Sequence, residues 1–518
     1  MEDNQFTQMP NYGKNINYPD DDKSAKKHTV AVSKIRCSAS QLVAVLATNI
    51  AKFTHGTLLG YVTIVLAELY KEDAEIDMTL NELTWFSSNC FMSPVGALII
   101  GLLTQSIGSR YSIMIATILQ TISWVMFYCA TNSAMLLIAS SIVGFVYSVS
   151  LGPGCTYIAE ICQPDLRATL LASNNLFLLI GNFCSVLLGT MMNWRSIALV
   201  NCSFPIVGFI AMYFVPDSPH WLASKGRMIQ AEHAMAWLRG WTTPQCIQQE
   251  FSTLKEIHHN PDKNLVTNLS NKKNISGSSR TCLNLKETLR PYLQRSFCRP
   301  LASACCIFAL HTFMGSLAIV TYIIIIFEMI DSPVEKYTAA AIFDGLKVCA
   351  SISCIIVINY IGKRRLVFTS MTGTIMSYLT ISIVAFLVSQ NYISTVYSWI
   401  PTIMTMFATF LTSGGIDKVV YMLNVEIFPT QFRGIGAGIG LFLSSFLSAV
   451  VNKIFLYMVN GMTLPGVYLF FATVNITALI LFYFMIPETN GRTLKEIEDH
   501  FTGVKKIKRR PKNTLETS

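Results

Sequence analysis

The sequence predicts an all-α membrane protein built as two matching helical halves, and three observations carry that reading. Of 518 residues, 52% are hydrophobic and 13% charged, with a mean hydropathy of +0.45, a balance unsuited to a surface in water. A membrane-spanning helix needs about 20 mostly apolar residues, and about twelve stretches meet that rule. Finally, Glu160 and Arg167 around Pro164 recur as Glu426 and Arg433 around Pro429, each later residue 266 positions after the earlier one. Each copy follows a long apolar run and opens another.

Along the chain the apolar runs fall at 41–66, 84–105, 112–130, 134–158, 170–190 and 196–215, then at 301–327, 338–361, 367–389, 395–424, 434–459 and 465–486. Six runs, a polar interval and six more form a duplicated membrane bundle. Basic residues in short loops stay on the cytoplasmic side. Lys23, Lys26, Lys27, Lys34 and Arg36 precede the first run, and Lys505, Lys506, Lys508, Arg509, Arg510 and Lys512 follow the last, so both termini are expected inside. Lys363, Arg364 and Arg365 then also fall inside, and the mainly acidic turns at 71–82 and 328–337 fall outside.

The expected division is a cytoplasmic tail over 1–40, a six-helix bundle over 41–216, a cytoplasmic linker with short helices over 217–299, a second six-helix bundle over 300–487 and a basic cytoplasmic tail over 488–518. Within the linker, Ala231, Ala234, Trp237 and Leu238, then Phe251 and Leu254, have helical spacing, whereas 258–281 is rich in Asn, Lys and Ser and reads as flexible.

Composition also removes several classes of function. The net charge of +9 is accounted for by the cytoplasmic flanks, so nucleic acid is not an expected partner; the lipid bilayer is. The 14 cysteines lie scattered through apolar runs without metal-like spacing. No cleavable signal peptide is visible in the polar first 36 residues. Asn268 and Asn274 begin glycosylation sequons on the expected cytoplasmic side, where that modification does not occur. No phosphate-cradling Gly-rich loop, metal cluster or Ser/His/Asp set is present, so an enzyme is not expected, nor any catalytic residue, metal or cofactor.

Further phrases repeat. Pro216-Asp217-Ser218-Pro219 with Gly226-Arg227 closes the first half, and Pro487-Glu488-Thr489-Asn490-Gly491-Arg492 closes the second. Gly108-Ser109-Arg110 stands between the second and third runs, and Gly362-Lys363-Arg364 between the eighth and ninth. Basic side chains in such turns reach carboxylates at other helix ends. Any one phrase is weak, but their order and repetition resemble the sugar-porter family of the major facilitator superfamily over roughly residues 40–502. Trp237-Leu238-Arg239-Gly240 and Met191-Met192-Asn193-Trp194 are most similar to its facilitative trehalose and hexose transporters.

The resemblance implies the major facilitator fold, twelve transmembrane helices in two bundles, and alternating access to a site near the bilayer midplane. It implies a cytoplasmic gate carried here by Arg110, Glu160, Arg167, Asp217, Arg364, Glu426, Arg433 and Glu488. Ser109 and Gln105 depart from the family's basic and acidic residues in the first loop, which thins that corner of the gate.

The substrate positions depart further. Where the family's seventh span has Gln-Gln-Leu-Ser-Gly-x-Asn, this chain reads His311-Thr312-Phe313-Met314-Gly315-Ser316-Leu317. The family's Gly-x-x-Asn in span eight becomes Asp344-Gly345-Leu346-Lys347, and Gly-Pro-x-Pro-Trp in span ten becomes Asp417-Lys418-Val419-Val420-Tyr421. Asn-Trp in span eleven falls on Ser444-Ser445, and the single Gln of span five falls on Asn175. The expected substrate contacts are therefore Asn175, His311, Thr312, Lys347, Tyr421, Ser444 and Ser448.

Charges at mid-membrane cost about 3 kcal/mol each unless paired or wet. Asp344 and Lys347 share one helix face and either pair with each other or face substrate. Lys52 and His55 add to the cavity if they point inward; His55 and Asp344 are candidate coupling residues. The expected function is a secondary-active or facilitative transporter in the plasma membrane, carrying a sugar, trehalose or a hexose. An organic anion or other polar solute, moved with protons, is the alternative, and a solute sensor that moves nothing is a third.

Overall fold

The computed structural model describes residues 34–259, 295–428 and 433–485. Both tails, most of the 258–281 stretch, Pro429 and Glu488 lie outside the described residues, as do the side chains of Glu426 and Arg433.

Every regular element among the described residues is helical. In the first half these are α1 (Lys34–Leu69), α2 (Leu80–Ser87), α3 (Ser93–Ile107), α4 (Ser109–Tyr128), α5 (Ser133–Ile161), α6 (Pro164–Gly189), α7 (Trp194–Asn201) and α8 (Ser203–Tyr213). The linker supplies α9 (Pro219–Ser224), α10 (Met228–Leu238) and α11 (Gln248–His259). The second half holds α12 (Arg295–Phe313), α13 (Ser316–Thr321), α14 (Ile323–Met329), α15 (Lys336–Ile361), α16 (Lys363–Ser389), α17 (Trp399–Gly414), α18 (Ile416–Glu426) and α19 (Arg433–Met485).

Several runs that read as continuous are broken, each for a local reason. The polar Ser87 and Ser88 end α2, and α3 restarts with Pro94, which the first helical turn tolerates. Gly315 takes φ +85° between α12 and α13, a conformation other residues adopt at a cost. Gly415 (φ −132°, ψ −98°) separates α17 from α18. Thr463, at φ +62° two residues before Pro465, turns the long α19 back on itself. Among the described residues ten helices are long and apolar enough to cross a membrane. The twelve crossings expected from sequence follow if the interrupted α2–α3 and the two arms of α19 each count as one.

Backbone contact sets the first bundle. A Cβ added to Gly56 of α1 would lie 2.0 Å from Leu178 O of α6, and one on Gly181 would lie 2.1 Å from Phe53 O. Only glycine lets the two helices approach so closely, as small residues generally do in lipid. Aromatic rings fill the space beside this crossing: Tyr61 packs on Trp124 at 4.8 Å and on Phe127 at 5.0 Å. In the second bundle Tyr322 stacks on Phe455 at 4.6 Å.

The linker helices lie against the first bundle. Ser40 Oγ donates to Leu238 O (2.8 Å) and accepts from Gly240 N (3.0 Å), and Trp221 Nε1 donates to Gln105 O (3.2 Å). The end of the molecule they cover is called here the linker face, and the opposite end the far face.

Candidate functional site

A cavity of about 240 Å³ lies between the two halves. The first half contributes a largely apolar wall, with Leu59 and Val62 from α1 and Leu178 and Leu179 from α6, relieved by Thr63, Ser87, Tyr147 and Asn182. The second half contributes the charged and hydroxylic wall: His311 and Thr312 of α12, Lys347 of α15, Asp417 and Tyr421 of α18, and Ser444, Ser445, Ser448 and Asn452 of α19.

The breaks at Gly315 and Gly415 position the polar groups. His311 sits one turn before the first break, and Asp417 opens the helix after the second, where the N-terminal dipole of α18 favours a carboxylate. Their side chains meet across the two helices, His311 Nε2 lying 3.0 Å from Asp417 Oδ1. The His311 ring also faces the Tyr421 ring at 6.1 Å. Lys347 Nζ donates to Asp344 Oδ1 at 2.9 Å. Asp344 is 3% exposed and stands behind the wall rather than on it. Of the two arrangements left open by sequence, the pair within one helix is the observed one.

Six of the seven expected contact residues therefore converge: His311, Thr312, Lys347, Tyr421, Ser444 and Ser448 all line the cavity. Asn175 does not. It is exposed on α6, two turns before Asn182, and Asn182 is the amide on the wall. Neither expected coupling residue lines the cavity. His55 is fully buried inside the first bundle, with its ring 5.1 Å from Tyr147 and both ring nitrogens without a hydrogen-bond partner among the described residues. Lys52 also faces into that bundle, beside a separate void of about 10 Å³ with Gln120 and Asn174, room for about one water. The physical reason is helix phase: α1 turns Leu59, Val62 and Thr63 to the cavity. Sequence reasoning did not count Asp417 as a site residue, although an intramembrane carboxylate is a functional signal by itself.

On the far face, bonds run from one half to the other. Tyr322 OH is 2.6 Å from Ser87 Oγ and 3.0 Å from Asn452 O, and Asn452 Nδ2 donates to Ser87 O at 3.3 Å. Lys453 Nζ reaches Asn81 Oδ1 (2.8 Å) and Thr84 Oγ1 (2.9 Å) and lies 4.1 Å from the centre of the Trp85 ring. The Tyr337 hydroxyl donates to Glu68. Ser87 and Asn452 belong to the cavity wall as well, so this seam closes directly over the cavity.

On the linker face the described bonds of the expected gate stay within one half. Arg110 donates to Met212 O (3.0 Å) and Tyr213 O (2.6 Å) and pairs with Asp217 at 3.5 Å. Burial pushes the Asp217 carboxyl up, while the Arg110 guanidinium draws it back down. Arg167 donates to Cys162 O at 3.2 Å, and Arg364 to Tyr483 O at 2.9 Å. Glu160 Oε2 is buried with no partner among the described residues.

Two helical halves, a polar cavity between them and a seam closed at one end define a solute transporter of the major facilitator fold. Residues 40–501 match the family described as Sugar (and other) transporter, and the chain belongs to that family. It is 25% identical over 468 residues to the facilitated trehalose transporter Tret1 of Apis mellifera ligustica, covering 89% of this chain and 88% of that one. It is 23% identical over 480 residues to Tret1 of Bombyx mori, covering 92% and 90%. Among solved structures it is similar to the inward open conformation of the xylose transporter XylE from E. coli, with a TM-score of 0.68 at 18% identity, covering 89% of this chain and 99% of that one.

Proposed function

We propose that the chain carries a neutral sugar, a hexose or trehalose, through the central cavity, moving it across the plasma membrane by alternating access. The observation that carries this reading is the cavity itself: six residues expected to touch substrate line it, and the seam above it is bonded from half to half. Its apolar first wall suits the C–H face of a sugar ring, and its hydroxyls and amides on the second suit the ring's hydroxyls. Similarity to trehalose transporters supports the sugar class.

In this reading the linker face is cytoplasmic, both termini lie inside, and the two six-helix bundles over 41–216 and 300–487 rock about the cavity. The far face is then the extracellular one, and the state described is closed to the outside. The buried, partnerless Glu160 Oε2 is the kind of atom that a gate partner satisfies once the inner side closes. Arg110, Arg167, Asp217, Arg364, Glu426, Arg433 and Glu488 complete that proposed gate.

The pairing of Lys347 with Asp344 argues against an organic anion as cargo, because the ammonium already has its counter-charge. Uptake of labelled D-glucose, trehalose and a small organic acid into transport-deficient cells tests the reading. Saturable sugar uptake is expected. Uptake of the acid alone, or binding without flux, contradicts it.

A further inference from the structure

The His311–Asp417 pair is the feature of the cavity that the sugar reading leaves without a task. Asp417 is the carboxylate on the cavity wall among the described residues, and its side chain keeps 25% of its surface exposed there although protein surrounds it. An ionised carboxylate accepts at about four lone-pair positions. His311 engages Oδ1, which leaves acceptor capacity for a pair of hydroxyls. Hydrogen bonds to a charged acceptor are about twice as strong as neutral ones.

The groups around the pair are few. Lys347 from α15 and Lys418 beside Asp417 act on the carboxylate, Tyr378 of α16 and Tyr421 lie near it, and Cys354 faces Lys418. Lys347 is held by Asp344. Histidine is the side-chain type whose charge ordinarily changes between about pH 5 and 8. A protonated imidazole holds a carboxylate more tightly than a neutral one.

We propose that Asp417 is the charged acceptor for a hydroxyl pair of the transported sugar and that His311 competes with the sugar for it, so that acid weakens binding. This rests on the central cavity being the sugar site. The pair joins α12 to α18 directly beside the breaks at Gly315 and Gly415, so exchanging the imidazole for a sugar also loosens one helix from the other at their hinges.

The test is sugar uptake by proteoliposomes, with KM and kcat measured from pH 5.5 to 7.5 using D-glucose and trehalose as probes. For the unmodified protein, KM is expected to fall about five- to tenfold as pH rises, with a smaller change in kcat. His311→Gln keeps a donor that does not titrate and is expected to flatten the profile; His311→Asn provides a second neutral replacement should the first fold poorly. Asp417→Asn is expected to raise KM at pH 7.5 about ten- to a hundredfold. A pH slope that persists in both His311 variants, or an unchanged KM in Asp417→Asn, overturns this inference alone. Absence of sugar uptake at every pH overturns the sugar reading and this inference with it.

Discussion

On the far face the two halves hold each other, whereas on the linker face each half holds itself. The far-face bonds of Tyr322, Lys453 and Tyr337 run from the second half to α1 or α2 of the first and exist only while that seam is shut. The linker-face bonds of Arg110 and Arg364 repeat one device in both halves: a guanidinium at the start of a helix caps the last carbonyls of another in the same bundle, at Tyr213 and Tyr483. Such bonds survive either position of the bundles. The difference teaches that charge motifs legible as gate residues also build the rigid bodies, while the bonds that decide the state are made largely by neutral side chains elsewhere.

Substitutions can break this contrast at graded cost. Tyr322→Phe removes a fully buried hydroxyl and strands Ser87. It is expected to destabilise the far-face closure by about 2 kcal/mol, roughly a thirtyfold change in the closed-to-open ratio, read as faster labelling of a cysteine placed at Ser444 from the far side. Lys453→Met loses the Asn81 and Thr84 bonds and the contact with Trp85 at a more exposed position, and is expected to shift the same ratio about tenfold.

Tyr337→Phe, at a half-buried site, is expected to shift it about fivefold, near 1 kcal/mol. Arg110→Gln sharpens the contrast from the other side: a lower melting temperature is expected, with the labelling ratio unchanged, because the lost cap lies inside one bundle.

The smallest effect is that of pH on the far-face start of α2. The backbone N–H of Thr79, then its hydroxyl and that of Ser133, hold the Glu82 carboxyl below the usual carboxylate range. Its folded value lies below the unfolded one, so the bonds contribute above the unfolded value and are lost as pH falls through the folded one. Hydrogen exchange at α2 is expected to rise in acid and to stay flat through neutrality.

The helical layout was legible because apolar length is a strong signal, and α4, α5, α6, α15 and α16 cover their expected runs with small differences at the ends. The breaks at 315, 415 and 463 were not, since hydrophobicity reports length and not continuity. The Asp344–Lys347 pair was readable as one of two options from its spacing on one helix. The bond between His311 and Asp417, 106 positions apart, was not, because periodicity relates only neighbours on one element. Asn175 and His55 show the same limit. The glycine-to-glycine crossing of α1 and α6 sets which faces turn to the cavity, and that crossing is a tertiary fact.

The central claim is that the far-face bonds select the state. Pulsed electron-spin distance measurement between labels at Thr131 and Tyr392, exposed at far-face turns of the two halves, tests it most directly, in a background with the native cysteines replaced. A single short distance is expected without substitution, joined by a longer population when Tyr322→Phe and Lys453→Met are combined. An unchanged distance distribution in that double variant contradicts the account.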